Sequence, residues 1–204
     1  MSVPSAFDVT LAKGSSSVPR YELDSSGSRF TVQAFASGML WAFAHNPTIA
    51  IKEFTGSLTF SPQTPEKPIL EIIVNAQSME SCDPIRPKHK VEIRDTMMEV
   101  LDVSAYPTVQ YTATEAIATH LSENWFRLQF KGSLALRGVT RAQEVDAQLT
   151  LLDGKMRLNG SFQILQSNFK IHRPSAAAGL IITKDELKFT FDVMGRAVAE
   201  GGAA

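Results

Sequence analysis

The sequence predicts an all-β protein: an antiparallel barrel of about eight strands closed on itself, with a single helix in a connection. Apolar and polar residues alternate over three long runs between residues 123 and 165. Because strand side chains project alternately to the two faces, each run is apolar on one face and polar on the other. Only one stretch has helical spacing, and strand–helix–strand units do not repeat. Closing such a sheet into a barrel leaves no open edge.

The alternating residues between Glu123 and Leu165 predict a meander of three long strands. Gly138 interrupts the alternation after the first run, and Asp153-Gly154 after the second is a strong signal for a two-residue hairpin turn. The apolar parity faces the barrel interior and carries Phe126, Leu128, Phe130, Gly132, Leu134, Leu136, Val145, Ala147, Leu149, Leu151, Met156, Leu158, Gly160, Phe162 and Ile164.

Shorter alternating runs on either side of the meander supply the remaining strands. Residues 1–20 mix Ser, Pro and Gly with little periodicity and predict a flexible arm. Tyr21–Asp24 then opens a short strand, and Ser25–Gly27 predicts a turn. We expect one barrel domain over residues 21–195 and a flexible tail over 196–204. The other strand-like runs are 30–34, 49–60, 69–76, 106–113 and 187–193.

Residues 79–101 contain the one credible helix. Ile93, Met97 and Leu101 recur there at four-residue spacing, after two prolines. We favour a connector packed against the sheet. Alternatively, Met97 and Met98 form a lip for an apolar ligand, since thioether chains adapt to irregular shapes. Residues 38–46 are apolar on both parities, which predicts either a segment buried on two sides or a lid.

Composition and motifs argue against several function classes. The formal net charge of −1, with both signs intermixed, does not favour nucleic-acid binding. The four histidines lie far apart, Cys82 has no cysteine partner, and no catalytic motif is present, so we expect no cofactor and no metal. No apolar run has the length of a signal peptide or a transmembrane segment, which predicts a soluble cytoplasmic protein.

The interior face is almost entirely Phe, Leu, Val, Ile and Met, interrupted by Gly56, Gly132, Ala147 and Gly160. Because glycine adds no side-chain volume, inward glycines leave either room for a ligand or a sharp bend in a strand. An eight-stranded barrel is just wide enough to be filled by side chains or to hold one ligand. A packed interior is the commoner outcome, and a cavity here would suit a long apolar chain.

The order and spacing of several short motifs resemble the YceI-like family of polyisoprenoid-binding, lipocalin-like proteins. The sequence departs from the family where Lys170 replaces a common glycine, where Gly27 replaces a frequent histidine, and at the variant turn Ala44-His45-Asn46. The resemblance covers nearly all of residues 21–193 and depends on Tyr21-x-Leu-Asp24, Ser28-x-Phe30, Phe54-x-Gly56-x-Leu58-x-Phe60, Val100-Leu-Asp102, Tyr106-Pro-Thr-Val109, Gly132-Ser-Leu-x-Leu-Arg-Gly-Val-Thr-Arg141, Ser167-x-Phe169-x-Ile171 and Asp185-Glu-Leu187.

The resemblance implies an extended lipocalin-like barrel that binds, transports or stores an isoprenoid lipid, such as a polyprenyl lipid or an isoprenoid quinone, without catalysis. The alternative to a cytoplasmic location is the periplasm, to which many relatives are exported. The oligomeric state stays open, and a homodimer is one of the possibilities. Among the inward residues, Tyr111 supplies the one hydroxyl expected to bind the polar head group of the lipid. The expected cavity-lining residues are Phe30, Val32, Phe54, Leu58, Phe60, Tyr111, Phe126, Leu128, Phe130, Leu134, Val145, Leu149, Met156, Phe162, Ile164, Phe189 and Phe191.

Two other functions stay open from the residues. The first is an interaction module with a fully packed barrel and no small-molecule ligand. The second is an enzyme that uses His45 or His172, which is the weakest hypothesis because neither residue has an evident partner. Replacing Gly132 or Gly160 by leucine separates a cavity from a packed core, since only the cavity would tolerate the added side chain.

Overall fold

The computed structural model describes residues 18–38, 46–63, 65, 68–176 and 181–198. Within these ranges the chain forms strands, one α-helix and two short 3-10 turns, at Ala76–Ser78 and Gln166–Phe169. The elements are β1 (Arg20–Ser37), β2 (Thr48–Ile51), β3 (Phe54–Thr59), β4 (Ile69–Asn75), β5 (Met79–Ser81), α1 (Pro87–Val100), β6 (Thr108–Ser122), β7 (Trp125–Leu136), β8 (Val139–Leu152), β9 (Lys155–Leu165), β10 (Ser175–Ala176) and β11 (Ile181–Val198).

Eight of these strands close an antiparallel barrel, which confirms the predicted fold class. Their order around the barrel is β1, β3, β4, β6, β7, β8, β9 and β11, and β11 pairs back onto β1. This closing seam runs from the Arg20–Val198 pair to the Ser37–Ile182 pair. The short strands β2 and β5 extend the sheet beside the later part of β1, and β10 pairs with the start of β11.

The central meander of β7, β8 and β9 has the predicted inward and outward faces. Asp153 and Gly154 form the turn between β8 and β9, with φ values of 48° and 71°. Arg137 and Gly138 form the turn between β7 and β8, with φ values of 51° and 69°. Positive φ at both central residues is the geometry of two-residue hairpins whose twist matches the flanking strands. The predicted hairpin at Asp153-Gly154 is therefore confirmed.

The turn predicted at Ser25–Gly27 is wrong, because these residues form a bulge inside one continuous strand. The register between β1 and β11 shifts between Asp24 and Arg29 and then resumes. Asp24 Oδ1 accepts hydrogen bonds from the backbone N–H of Ser26 at 3.0 Å and from its hydroxyl at 2.6 Å. Short polar side chains can bond to the backbone two residues ahead and so replace hydrogen bonds between paired strands. The Asp24 carboxylate does this here and stabilises the bulge between Asp24 and Arg29.

The predicted boundaries differ from the structure in two more places. The single run expected over residues 49–60 is split at Lys52 and Glu53 into β2 and β3. The final strand continues to Val198. Four predicted segments lie wholly or partly outside the described residues. They are residues 1–17 of the predicted arm, residues 39–45 of the predicted lid, residues 199–204 of the tail, and residues 177–180, which belong to a stretch (166–180) that the sequence predicts to be irregular, with a loop at Ser175–Gly179.

Helix α1 begins at Pro87, where the ring fixes φ and the missing N–H has no helical partner to lose. None of its residues is fully buried, so α1 lies on the barrel without being enclosed by it. In the ranges that the structure describes, no helix combines the length and the apolar character needed to span a bilayer.

Candidate ligand cavity

One half of the barrel interior is filled by side chains, and we term it the packed half. It lies toward the end where β1 begins and β11 ends. Phe60 and Phe126 meet there edge to face, with ring centroids 5.0 Å apart. Each member of the packed half is 3% exposed or less: Leu58, Phe60, Phe126, Leu128, Phe130, Leu149, Met156, Leu158 and Val193.

The other half of the interior encloses a cavity of about 580 Å³, and we term it the cavity half. Four residues of the wall are only partly buried, because they face space that no side chain of the described residues fills: Ile72, Val109, Phe162 and Leu187. The apolar wall comes from seven barrel strands and from β2 and β5, and includes Val32, Ile49, Ile51, Ile72, Val74, Met79, Val109, Leu134, Leu136, Val145, Phe162, Leu187, Phe189 and Phe191.

Helix α1 supplies the remaining side of the cavity. Ile93, Met97 and Val100 contribute its apolar surface, and Ile85 adds to it just before the helix begins. These positions follow the three- and four-residue spacing that puts side chains on one face of a helix. Met97 therefore lines the cavity, as in the predicted lip, whereas Met98 does not.

The predicted ligand residues divide between the two halves, and their contact with a ligand stays a prediction. The cavity ends at the packed half, so the interior is a blind pocket and not a tunnel along the whole barrel. Eight predicted residues lie in the cavity wall: Phe30, Val32, Tyr111, Leu134, Val145, Phe162, Phe189 and Phe191. Nine lie outside it: Phe54, Leu58, Phe60, Phe126, Leu128, Phe130, Leu149, Met156 and Ile164.

The inward glycines do not provide the ligand space, so that interpretation is wrong. A Cβ on Gly132 would lie 2.7 Å from the ring of Tyr111 and 2.6 Å from the carbonyl oxygen of Thr112. A Cβ on Gly160 would lie 2.7 Å from Cζ of Phe191. Aromatic rings from neighbouring strands cover these two glycines, and the backbone of β4 approaches Gly56 closely.

Tyr111 lines the cavity, and the proton of its hydroxyl is already used in a hydrogen bond. It donates to the backbone carbonyl of Gln143 on β8 at 3.1 Å. Burial, with a smaller contribution from the nearby Glu144 carboxylate, raises the pKa of Tyr111 well above its usual value. The phenol therefore stays protonated and bonded to the wall at physiological pH.

Two other polar residues of the wall, Gln166 and Thr183, were not predicted. Gln166 is 4% exposed and continues the inward parity of Phe162 and Ile164 beyond the end of β9. A polar residue at an inward position was the signal that could have identified it. Thr183 lies near the start of β11, before the alternating run predicted at residues 187–193. The rim of the cavity carries four further polar residues that are all exposed: His89, Glu92, Thr96 and Ser175.

The candidate catalytic and metal-binding residues are not brought together. Cys82 is exposed, with its Sγ 3.3 Å from the carbonyl oxygen of Thr48. His172 is exposed, and His45 lies outside the described residues. Across the part of the chain that the structure covers, no three His, Cys, Asp or Glu side chains are grouped closely enough to hold a metal ion.

The family assignment follows from comparison of the sequence with known protein families. A profile of the YceI-like domain matches residues 21–194. The chain belongs to the YceI-like family. The match includes α1 and all or most of every barrel strand, and it confirms the resemblance seen in the motifs.

Individual relatives of this YceI-like protein are distant. Protein YceI of Salmonella arizonae is 26% identical over 140 residues, which cover 67% of this chain and 64% of that protein. The chain thus spans slightly less than two thirds of the length of that relative.

Solved structures share the fold at still lower identity. Burkholderia cenocepacia BcnA has a TM-score of 0.64 and 14% identity, over 84% of this chain and 98% of that chain. A polyisoprenoid binding domain from Saccharophagus degradans, implicated in plant cell wall breakdown, has a TM-score of 0.63 and 12% identity, over 87% and 98% of the two chains. These two similarities show a common fold.

Proposed function

We propose that this protein binds a long apolar isoprenoid lipid, a polyprenyl lipid or an isoprenoid quinone, and carries or stores it without chemical change. The observation that carries the proposal is the unfilled apolar cavity of about 580 Å³ inside the barrel. Pockets that enclose small molecules typically measure about 300–1,000 Å³. The unfilled cavity favours a ligand-binding protein over an interaction module with a packed barrel.

The chemistry of the wall supports an apolar ligand. The wall consists mainly of Ile, Val, Leu, Met and Phe side chains. Removing apolar surface from water contributes about 25 cal/mol per Å², so each 100 Å² of buried lipid chain contributes roughly 2.5 kcal/mol. The solved Saccharophagus domain, which is described as polyisoprenoid binding, supports the choice of an isoprenoid among apolar chains.

The shape of the cavity favours one orientation of the lipid. The packed half closes the bottom, so the apolar chain enters from the end covered by α1. His89, Glu92, Thr96 and Ser175 are exposed and lie at the rim of the cavity. A charged or strongly hydrated head group would stay near these residues and in contact with water, because burying it in the apolar interior is costly.

The proposal is tested by identifying what the protein carries. Protein purified without detergent should show a bound lipid in native mass spectrometry, and organic extraction should release an isoprenoid. Protein stripped of lipid should take up added polyprenols or quinones. Recovery of no lipid, together with no uptake of either class, would contradict the proposal.

A pair of variants at adjacent residues gives the control. Leu187 lines the cavity, whereas Lys188 is on the outer face of the same strand. Leu187→Trp should fill part of the cavity and reduce lipid uptake several-fold. Lys188→Trp adds the same side chain outside the barrel and should leave uptake unchanged. Equal uptake by the two variants would count against binding in this cavity.

A further inference from the structure

Three polar side chains in the cavity wall each donate a hydrogen bond to the backbone. The Tyr111 hydroxyl donates to the Gln143 carbonyl at 3.1 Å. Gln166 Nε2 donates to the Lys184 carbonyl at 2.8 Å, and the Thr183 hydroxyl donates to the Pro174 carbonyl at 3.1 Å. Each acceptor is a backbone carbonyl of the barrel or its connections, so each donor is held by the fold.

These side chains keep three acceptor oxygens but only one free donor, the second N–H of the Gln166 amide. The carbonyl of Lys184 fixes the orientation of the Gln166 amide, because only the NH₂ group can donate to it. Gln166 Oε1 then accepts no hydrogen bond from the described residues, and it stays within reach of water, since only Arg137 Nε among the described side chains is a fully buried polar atom without a partner. The oxygens of Tyr111 and Thr183 likewise keep lone pairs after their protons are used.

A bound lipid displaces water from these oxygens, and an acceptor that loses its water without a replacement donor is costly, so a ligand that supplies the donor avoids that cost. The polar groups at the rim cannot discriminate in the same way. His89, Glu92, Thr96 and Ser175 are exposed, so water satisfies them with or without a ligand. Discrimination between ligand polar groups therefore depends on Tyr111, Gln166 and Thr183.

We propose that the cavity prefers isoprenoids that end in a hydroxyl group, such as prenyl alcohols and quinols, over those whose polar group only accepts hydrogen bonds. This inference rests on the proposed function and names the ligand class within it. A hydroxyl or phenol can donate to the free acceptors of the wall. The carbonyls of an oxidised quinone and the oxygen of an ether cannot donate, and the second N–H of Gln166 is the one donor among these three side chains from which they could accept; at the other positions they would place one acceptor against another.

The test is a competition between two lipids of equal chain length. Lipid-free protein is mixed with equimolar geranylgeraniol and geranylgeranyl methyl ether, both in excess, and bound lipid is extracted and quantified by mass spectrometry. One hydrogen bond between neutral groups predicts an alcohol-to-ether ratio of roughly three to ten. Gln166→Met, which removes the amide acceptor, and Thr183→Val, which removes the hydroxyl, should each bring the ratio closer to one.

Matched substitutions outside the cavity serve as controls. Gln163 and Thr190 are exposed residues on β9 and β11, so Gln163→Met and Thr190→Val should keep the ratio of the unmodified protein. A ratio near one in the unmodified protein would overturn the inference while leaving the proposed function in place. An unchanged ratio in both Gln166→Met and Thr183→Val would also overturn it. Retention of neither lipid would overturn the proposed function together with the inference.

Discussion

Leucines in the two halves of the barrel differ in what surrounds them. Leu128 and Leu158 in the packed half have no exposed surface. Leu187 in the cavity half also points into the barrel but stays partly exposed, because it faces the cavity. Both sets occupy inward positions of long strands in the same closed sheet, so the difference lies in how far the interior is filled.

The contrast between the two halves separates stability from ligand binding within one sheet. Interiors are normally packed as densely as organic crystals, and that density supplies much of the stability of a domain. The packed half has this character. The cavity half gives up such contacts across about 580 Å³, and α1 covers it without any fully buried residue. The packed half can thus hold the barrel closed while the cavity half exchanges its contents.

The largest expected effect tests this division of stability. Leu128→Ala removes a side chain that is 0% exposed and should lower the free energy of unfolding by about 2–5 kcal/mol. Leu187→Ala should cost only about 1 kcal/mol in the lipid-free protein, because its side chain already borders empty space. Urea denaturation of lipid-free protein at 25 °C measures both values. Equal losses would mean that the two halves contribute alike.

The second effect concerns a glycine at the border of the halves. Gly132→Ala would place a Cβ 2.6 Å from the Thr112 carbonyl oxygen and against the Tyr111 ring. We expect a loss of about 1–3 kcal/mol and a lower lipid capacity, because Tyr111 must move toward the cavity. In Gly27→Ala the new Cβ meets its nearest atom at 3.5 Å, and this control should be nearly neutral. Thermal unfolding and lipid extraction measure the two outcomes, and a neutral Gly132→Ala would restore the interpretation of Gly132 as spare volume.

The third effect adds volume to each half in turn. Val193 is 0% exposed, so Val193→Phe should overpack its surroundings and cost about 1–3 kcal/mol. Val109 lines the cavity, so Val109→Phe should change the free energy of unfolding by less than about 1 kcal/mol while displacing lipid. Denaturation midpoints and lipid content would distinguish the variants. A large loss of stability in Val109→Phe would show that the cavity half is already full.

The smallest effect lies on the outer surface, away from both interiors. Arg157 donates from Nε and Nη2 to the two carboxylate oxygens of Asp192, at 2.7 and 2.6 Å. These bonds hold the pKa of Asp192 below its usual range. The pair therefore stabilises the fold above the ordinary carboxyl pKa, and this contribution is lost as pH falls through the lowered value.

Asp192→Asn should consequently have a small effect at pH 7, because exposed ion pairs contribute little. Its difference from the unmodified protein should vanish in strong acid. Unfolding free energies measured from pH 7 downward test this, and a gap that widens on acidification would show the opposite sign. An effect at pH 7 as large as that of Leu128→Ala would show that the surface, and not the packed half, dominates stability.

Alternation of side chains was sufficient to predict the barrel and the faces of its strands, but not which inward residues border empty space. Parity places Phe130 and Leu134 of β7 on the same face, yet Phe130 is packed and Leu134 lines the cavity. Filling depends on side chains that arrive from other strands, and the sequence of one strand does not contain that information.

The glycines show the same limit more sharply. Tyr111 on β6 is paired with Leu134 on β7. Gly132 lies two residues before Leu134 on the same face of β7, so the Tyr111 ring extends over it. Phe191 covers Gly160 because β9 and β11 pair these two residues directly. These registers depend on the turns and bulges that join the strands, such as the shifts between Ala113 and Glu115 and between His120 and Ser122, and alternation within one strand does not reveal them. The role of α1 was open for a related reason, since spacing identifies its apolar face but not what that face covers.

The seam between β1 and β11 has a consequence for how the chain folds. Arg20 pairs with Val198, so the contact that closes the barrel joins nearly the first and nearly the last described residues. Pairings of such high contact order form slowly, typically over milliseconds to seconds in all-β domains. During synthesis on the ribosome, one edge of β1 stays without β11 until residues 181–198 have emerged. The nascent chain therefore passes through an open-sheet stage in which its future interior is exposed to chaperones, and a ligand could be acquired at that stage as the barrel closes around it.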